Sequence, residues 1–232
     1  MEKFHFNPIP LNSKTINYFP KIETLHLWNV MDENFGNGFI TNIEENKIVS
    51  KKKFYRIIVW FNVDFETVDR NKNRNIEFKN VTYTKNDREK FGNNIPSIVK
   101  SIGNDCFYKC SSLSCVNIPS NVTFIGDGCF SCSRNLSSVT IPFGVRTLGI
   151  HCFSGCSSLS SVTIPYSVTS IGIYCFCGCS SLSSISIPSS VTSIGDWCFG
   201  NCSSLISVNI PPSVASIGHS CFSSNAIIYR SK

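Results

Sequence analysis

Thirteen cysteines are the residues of this 232-residue chain with the most obvious capacity for chemistry. Thiolates attack electrophiles, hold zinc and pair into disulfides. Two spacings look ligand-like: Cys129-x-x-Cys132 and Cys175-x-Cys177-x-Cys179. One cysteine, Cys152, follows a histidine, His151, that could serve as its base. The surroundings weaken each of these. No histidine stands at partner spacing to either cysteine cluster. His151 shares its place with Asp105, Gly128, Tyr174, Trp197 and Ser220, so it reads as one variable surface residue among six. The serines sit in linkers without a nucleophile elbow. The expectation is therefore a non-enzyme, with no catalytic set, no metal and no cofactor.

The cysteines make better sense through their spacing. Cys106, Cys129, Cys152, Cys175, Cys198 and Cys221 recur with period 23, each followed by phenylalanine. Ile-Pro recurs at the same step, from Ile95-Pro96 to Ile210-Pro211, and so does glycine, from Gly103 to Gly218. Six copies in register indicate a solenoid. The thiols become a buried ladder, in which free cysteine acts as a small hydrophobe. Disulfides fit poorly. The count is odd, and stacked strands stand ~4.8 Å apart, farther than the ~3.8 Å between Cβ atoms that a bridge needs.

One coil, Leu159 to Ser181, shows the elements that must position these side chains. Val162 and Ile164 alternate with Ser161 and Thr163, the pattern of a half-buried strand. Pro165 cannot extend the ladder. Val168 and Ile171 point inward, and Gly172 is expected to turn the chain with a positive φ. Tyr174-Cys175-Phe176 then returns to the core, and Leu182 opens the next coil. About eight inward positions per coil cannot close a core alone, but stacked coils can.

The runs Leu159 to Pro165 and Leu205 to Pro211, Val191 to Gly195, and Cys198 to Leu205 closely resemble the BspA-type leucine-rich repeat family. The resemblance implies an open, curved, mainly β solenoid that binds other proteins, often at a cell surface, and it implies no reaction. Two copies depart from the pattern. Ser133 takes a usual cysteine place, with Cys132 one residue early, and Asn225 replaces the last one.

The other residues suggest a cap. Residues 93–232 hold the six repeats and a truncated last coil, and residues 1–92 read as an N-terminal cap with degenerate repeats. As a whole chain, this part resembles the N-terminal region of BspA-type proteins from amoeboid protists. Ile22-x-x-Leu25-x-Leu27 copies the strand spacing, and Tyr55 to Phe61 and Ile76 to Tyr83 read as strands around a polar loop, Asp69 to Asn75. A charged first coil would block end-to-end stacking. The net charge of +6 is spread along the chain, which argues against nucleic acid as a partner. Lys51-Lys52-Lys53 reads as a solvated loop. No apolar run has secretory or membrane-spanning length, so a cytoplasmic protein is the default, with the cell surface open if a segment lies upstream. Ile228 falls one full repeat after Leu205 and would open a seventh strand. Val208 to Ile210 would then be nearly an open edge, inviting self-association there.

The expected function is presentation of a rigid strand surface to a protein ligand. Two outward columns define it: Asn117, Thr140, Thr163, Ser186 and Asn209, and Cys115, Ser138, Ser161, Ser184 and Ser207. Beyond the prolines, Phe143 and Tyr166 stand where other copies carry serine or proline. Exposed aromatics at a repeat position suit interaction anchors. A second candidate stripe holds His151, Tyr174 and Trp197. Three other readings stay open: an adhesion protein, an ice- or surface-binding array, and a thiol or metal protein.

Overall fold

The computed structural model describes residues 12, 14, 23–33 and 53–230. Ile22 and Lys51-Lys52 lie outside them. Two compact units are present, Met1–Val81 and Thr82–Lys232.

In the first unit, β1 (Thr24–Leu27) pairs in parallel with β2 (Arg56–Asp64), Leu25 opposite Ile57 and Leu27 opposite Val59. All four side chains are buried. A short helix, α1 (Phe65–Arg70), follows, capped by the Asp64 carboxylate, which accepts from the Thr67 amide at 2.9 Å. The polar loop expected from Asp69 to Asn75 therefore begins as the end of a helix. Next comes β3 (Ile76–Tyr83), with the limits read from the sequence, ending two residues inside the second unit. A second helix that periodicity does not reveal, α2 (Lys85–Phe91), starts at a capping box. Thr84 Oγ1 accepts from the Asp87 amide at 3.2 Å, and the Asp87 carboxylate accepts from the Thr84 amide at 2.8 Å.

In the second unit most coils contribute strands on more than one side. The order is β4 (Ser101–Ile102), β5 (Cys115–Val116), β6 (Phe124–Ile125), β7 (Ser138–Thr140), β8 (Thr147–Leu148), β9 (Ser161–Thr163) and β10 (Ser170–Ile171). Then follow β11 (Ser193–Ile194), β12 (Ser207–Ile210), β13 (Ser216–Ile217) and β14 (Ile227–Arg230). β5, β7 and β9 form one parallel sheet, and β8, β10, β11 and β13 another. Within both sheets, partners stand one repeat apart: Thr140 faces Thr163, and Ile171 faces Ile194. The second row of short strands, at Ser170-Ile171 and its copies, is not visible in the alternation pattern.

Between the two rows runs a third ladder. The Phe153 amide donates to the Cys175 carbonyl, and the Phe176 amide to the Cys198 carbonyl, each at 2.8 Å. Inside it, the phenylalanine rings of residues 107, 130, 153, 176, 199 and 222 stack with centroids 5.2–5.5 Å apart. The first five are fully buried.

The recurrent glycine has a different duty from the one expected. Gly172 has no positive φ; the left-handed columns are Asp105, Gly128, His151, Tyr174, Trp197 and Ser220, two residues further on, and Lys109, Cys132, Gly155, Gly178 and Asn201, six residues further on. That conformation aims the His151 amide at the Ile173 carbonyl (3.0 Å) and the Tyr174 amide at the Asp196 carbonyl (2.9 Å). Glycine is needed instead because the coils nearly touch. A Cβ on Gly195 would sit 2.5 Å from the Ile173 nitrogen and 2.7 Å from the Gly172 carbonyl carbon. Both atoms are backbone and cannot step aside. Gly195→Ala should therefore destabilise by about 1–3 kcal/mol. Urea denaturation beside Gly92→Ala would check this, because a Cβ on Gly92 meets no atom within 4 Å and its cost is the local cost of φ +90°.

The C-terminal edge differs from expectation. β14 pairs with β12, Ser207 opposite Ile227 and Val208 opposite Ile228. The step there falls short of a full repeat, because the connection after Phe222 is three residues shorter than its counterparts. Val208 to Ile210 is thus covered, and the exposed edge of that sheet is β14 instead.

Candidate functional site

The thiols come first, since they carried the chemical possibilities. Ten of the thirteen cysteines are buried; Cys115 is exposed, and Cys132 and Cys177 lie half-buried. Burial pushes the Cys106 thiol up to about 12 and holds Cys129 and Cys175 well above the ordinary thiol range. Cys152, beside His151, is raised in the same way by burial. That is the reverse of the depressed value a nucleophilic thiol requires. The second cysteine column belongs to the core as well, which the eight-position reading missed. Cys156, Cys179 and Cys202 donate from Sγ to the carbonyls of Phe130, Phe153 and Phe176 at 3.1–3.2 Å. Ser133 makes the same bond to the Phe107 carbonyl at 2.6 Å, which explains why serine can replace cysteine there. Among the described residues no three His, Cys, Asp or Glu side chains converge as metal ligands.

The linker serines and threonines also have structural partners. Ser160 Oγ donates to the Ser137 carbonyl, Thr169 Oγ1 to that of Arg146 and Thr192 Oγ1 to that of Thr169, at 3.1–3.3 Å. These hydroxyls tie coil to coil.

The outward columns are where the alternation places them. Asn117, Ser138, Thr140, Ser161, Thr163, Ser184, Ser186, Ser207 and Asn209 are all exposed. The hydrogen-bonded sheet beneath them is interrupted. It runs from β5 through β7 to β9 and resumes at β12, but Ser184 and Ser186 lie in a stretch that joins neither part. The sequence has no counterpart of this break, since Ile185 and Ile187 alternate as Val162 and Ile164 do.

Beside the intact part, Phe143 and Tyr166 are 74% and 70% exposed. Each follows an Ile-Pro pair whose residues are both buried. Their backbones are thus anchored while their rings stand in solvent.

The second stripe is brought together too. His151 and Tyr174 stack at 4.8 Å, and Tyr174 and Trp197 at 6.3 Å. On their left-handed backbone His151 and Trp197 are exposed and Tyr174 is half-buried. Ile150 and Ile173, next to them and also exposed, extend the apolar surface. Those two isoleucines were missed, although their place at the Asp127 position of the repeat was available as a signal.

A parallel solenoid of regular coils, with ordered aromatics at its surface and mostly buried thiols, defines a repeat-built scaffold. Its family is shown by sequence: the BspA type leucine rich repeat region matches residues 89–180 and 147–230, in six copies, and the chain belongs to that family. Similar solved structures are bacterial. A leucine-rich repeat protein from Eubacterium ventriosum is 26% identical, with a TM-score of 0.53, over 65% of this chain and 37% of that one. One from Bacteroides ovatus is 27% identical, with a TM-score of 0.48, over 60% of this chain and 45% of that one. The T. pallidum leucine rich repeat protein is 26% identical, with a TM-score of 0.49, over 66% of this chain and 74% of that one. The chain thus spans less than half the length of the first two proteins. No curated protein matches. Among the described residues no helix is long and apolar enough to cross a membrane.

Proposed function

We propose that the chain is a protein-binding module whose contact surface is the face of β5, β7 and β9, anchored by Phe143 and Tyr166. Leucine-rich repeat proteins serve generally as interaction or adhesion scaffolds, without catalysis. The observation that carries the choice of face is the pair of aromatic rings, 74% and 70% exposed, held in adjacent coils on buried Ile-Pro backbones. Such rings lose little conformational freedom on binding, and burying them supplies most of the energy of a typical interface. The neighbouring Ser138, Thr140, Ser161 and Thr163 add an uncharged rim. The thirteen unbridged thiols support a reducing compartment such as the cytoplasm.

The test is affinity capture from lysate of the source cells. Wild type runs beside a folded Phe143→Ser/Tyr166→Ser/Thr163→Lys variant, with captured proteins identified by mass spectrometry. The expected result is a protein held by wild type and lost by the variant, with affinity weakened by about 100-fold or more. A protein held equally by both would move the contact to the stripe of His151, Tyr174 and Trp197. Capture of surface glycoproteins or extracellular matrix alone would favour adhesion.

A further inference from the structure

The aromatic stripe ends abruptly, and the place where it ends has the shape of a site. Each ring of His151, Tyr174 and Trp197 stacks on its neighbour. The next residue in the column is Ser220, which has no ring to continue the stack. Trp197 is 39% exposed and lines a concavity of 490 Å³. The concavity lies on two successive coils, lined by Trp197, Gly200, Asn201 and Ser203 from one and by Ser220 and residues 222–225 from the next.

The lining is uncharged. Besides Trp197, Gly200 and the half-buried Phe222 it holds two asparagines, Asn201 and Asn225, and the serines at 203, 220, 223 and 224. Part of it is fixed in place. Asn225 Nδ2 donates to the Ser203 carbonyl at 3.0 Å, which orients the amide, and Ser223 Oγ donates to the Phe199 carbonyl at 3.4 Å. Gly200 makes room for the indole, since a Cβ there would meet Trp197 Cε3 at 2.8 Å.

We propose that this concavity binds a neutral pyranose ring. The face of an indole is electron-rich, and the axial C–H bonds of a sugar present a weakly positive apolar face to it. The sugar's equatorial hydroxyls need neutral donors and acceptors around the edge, which serine hydroxyls and asparagine amides supply. A charged ligand would find no counter-charge in the lining. The volume also falls in the usual range for small-ligand sites, about 300–1,000 Å³. A free monosaccharide and the terminal residue of a glycan share this chemistry. The site is separate from the Phe143 and Tyr166 face, so either can fail without the other.

The experiment is saturation-transfer difference NMR on the full chain. The probes are the methyl glycosides of glucose, galactose, mannose and N-acetylglucosamine at millimolar concentration, together with a trisaccharide of each. The expected result is transfer to the axial protons of at least one probe, with binding weakened by about tenfold or more in Trp197→Ser. A second variant, Ser220→Tyr, extends the ring stack over Trp197. Tyr174 occupies the same column at φ 55°, so that backbone accepts tyrosine. This variant should keep the fold and abolish the transfer. Signal from the monosaccharide points to a free sugar as the source, and signal from the trisaccharide alone points to a glycan terminus. No transfer from any probe would overturn the proposal, as would transfer undiminished in both variants.

Discussion

Raising the pH above about 9 will unfold this protein far more steeply than a chain with alanine in the thiol columns. The cause is the buried ladder. Cys106, Cys156 and Cys202 are pushed up to about 12, and Cys129, Cys152, Cys175, Cys179 and Cys198 are raised as well, in every case chiefly by burial. Unfolded thiols ionise at about 8.5. Below that value both states keep their protons, and the stability due to the raised thiols is fully present. Between the unfolded and folded values only the unfolded chain loses protons, so stability falls as the pH rises. Each such thiol removes roughly 1.4 kcal/mol per pH unit once ionised in the unfolded state. Leaving aside Cys198, whose hydrogen bond with Cys221 raises one thiol and lowers the other, the remaining seven amount to on the order of 10 kcal/mol per unit, comparable with the whole stability of a typical domain. Tyr83, raised by burial to about 12, acts in the same direction at still higher pH. Guanidinium denaturation under reducing conditions should give unchanged midpoints from about pH 6 to 8 and a collapse by about pH 10. A midpoint unchanged at pH 10 would place the thiols in water in the folded state.

Phe176→Ala should cost about 3–5 kcal/mol, the range for emptying a buried phenylalanine site. Its ring is fully buried between those of Phe153 and Phe199, with centroids 5.3 and 5.5 Å away. Alanine would leave a cavity that neither neighbour can fill, since each is held by a further ring on its other side. In a solenoid the loss also weakens the coupling between the coils on either side. Phe222→Ala provides the comparison. That ring has only Phe199 against it and is half-buried, so its removal should cost clearly less. Equal costs at both positions would contradict a stack that is fully buried at Phe176 and half-buried at Phe222.

The core was legible because it repeats. The Phe and first Cys columns, the Ile-Pro strand ends and the exposed Ser and Thr rows follow from the constant repeat and from alternation within each coil. Features that depend on the approach of two coils were not. The glycine column looked like a turn, because a sequence shows that glycine is required but not whether the reason is φ or a backbone less than 3 Å away. The second Cys column looked like a linker, because its hydrogen bond reaches back 26 residues to a phenylalanine carbonyl. Thr84-x-x-Asp87 was a readable helix start that a search for repeats passes over. The register of β14 depended on three residues missing from the last connection, and counting one repeat forward from Leu205 put its first strand residue in the wrong place. The aromatics of the candidate surface were legible as exceptions at serine or proline positions. The concavity beside Trp197 was not, since its lining comes from two coils whose facing residues stand about one repeat apart in the chain.

A partner seated on the face of Phe143 and Tyr166 can be trapped there by site-directed photocrosslinking. A photoreactive benzoyl-phenylalanine would replace, one at a time, Phe143, Tyr166, Tyr174 and Trp197, followed by irradiation in lysate of the source cells. The expected result is the same protein adduct from positions 143 and 166 and none from 174 and 197. Adducts from 174 and 197 alone would contradict it and assign the contact to the stacked stripe.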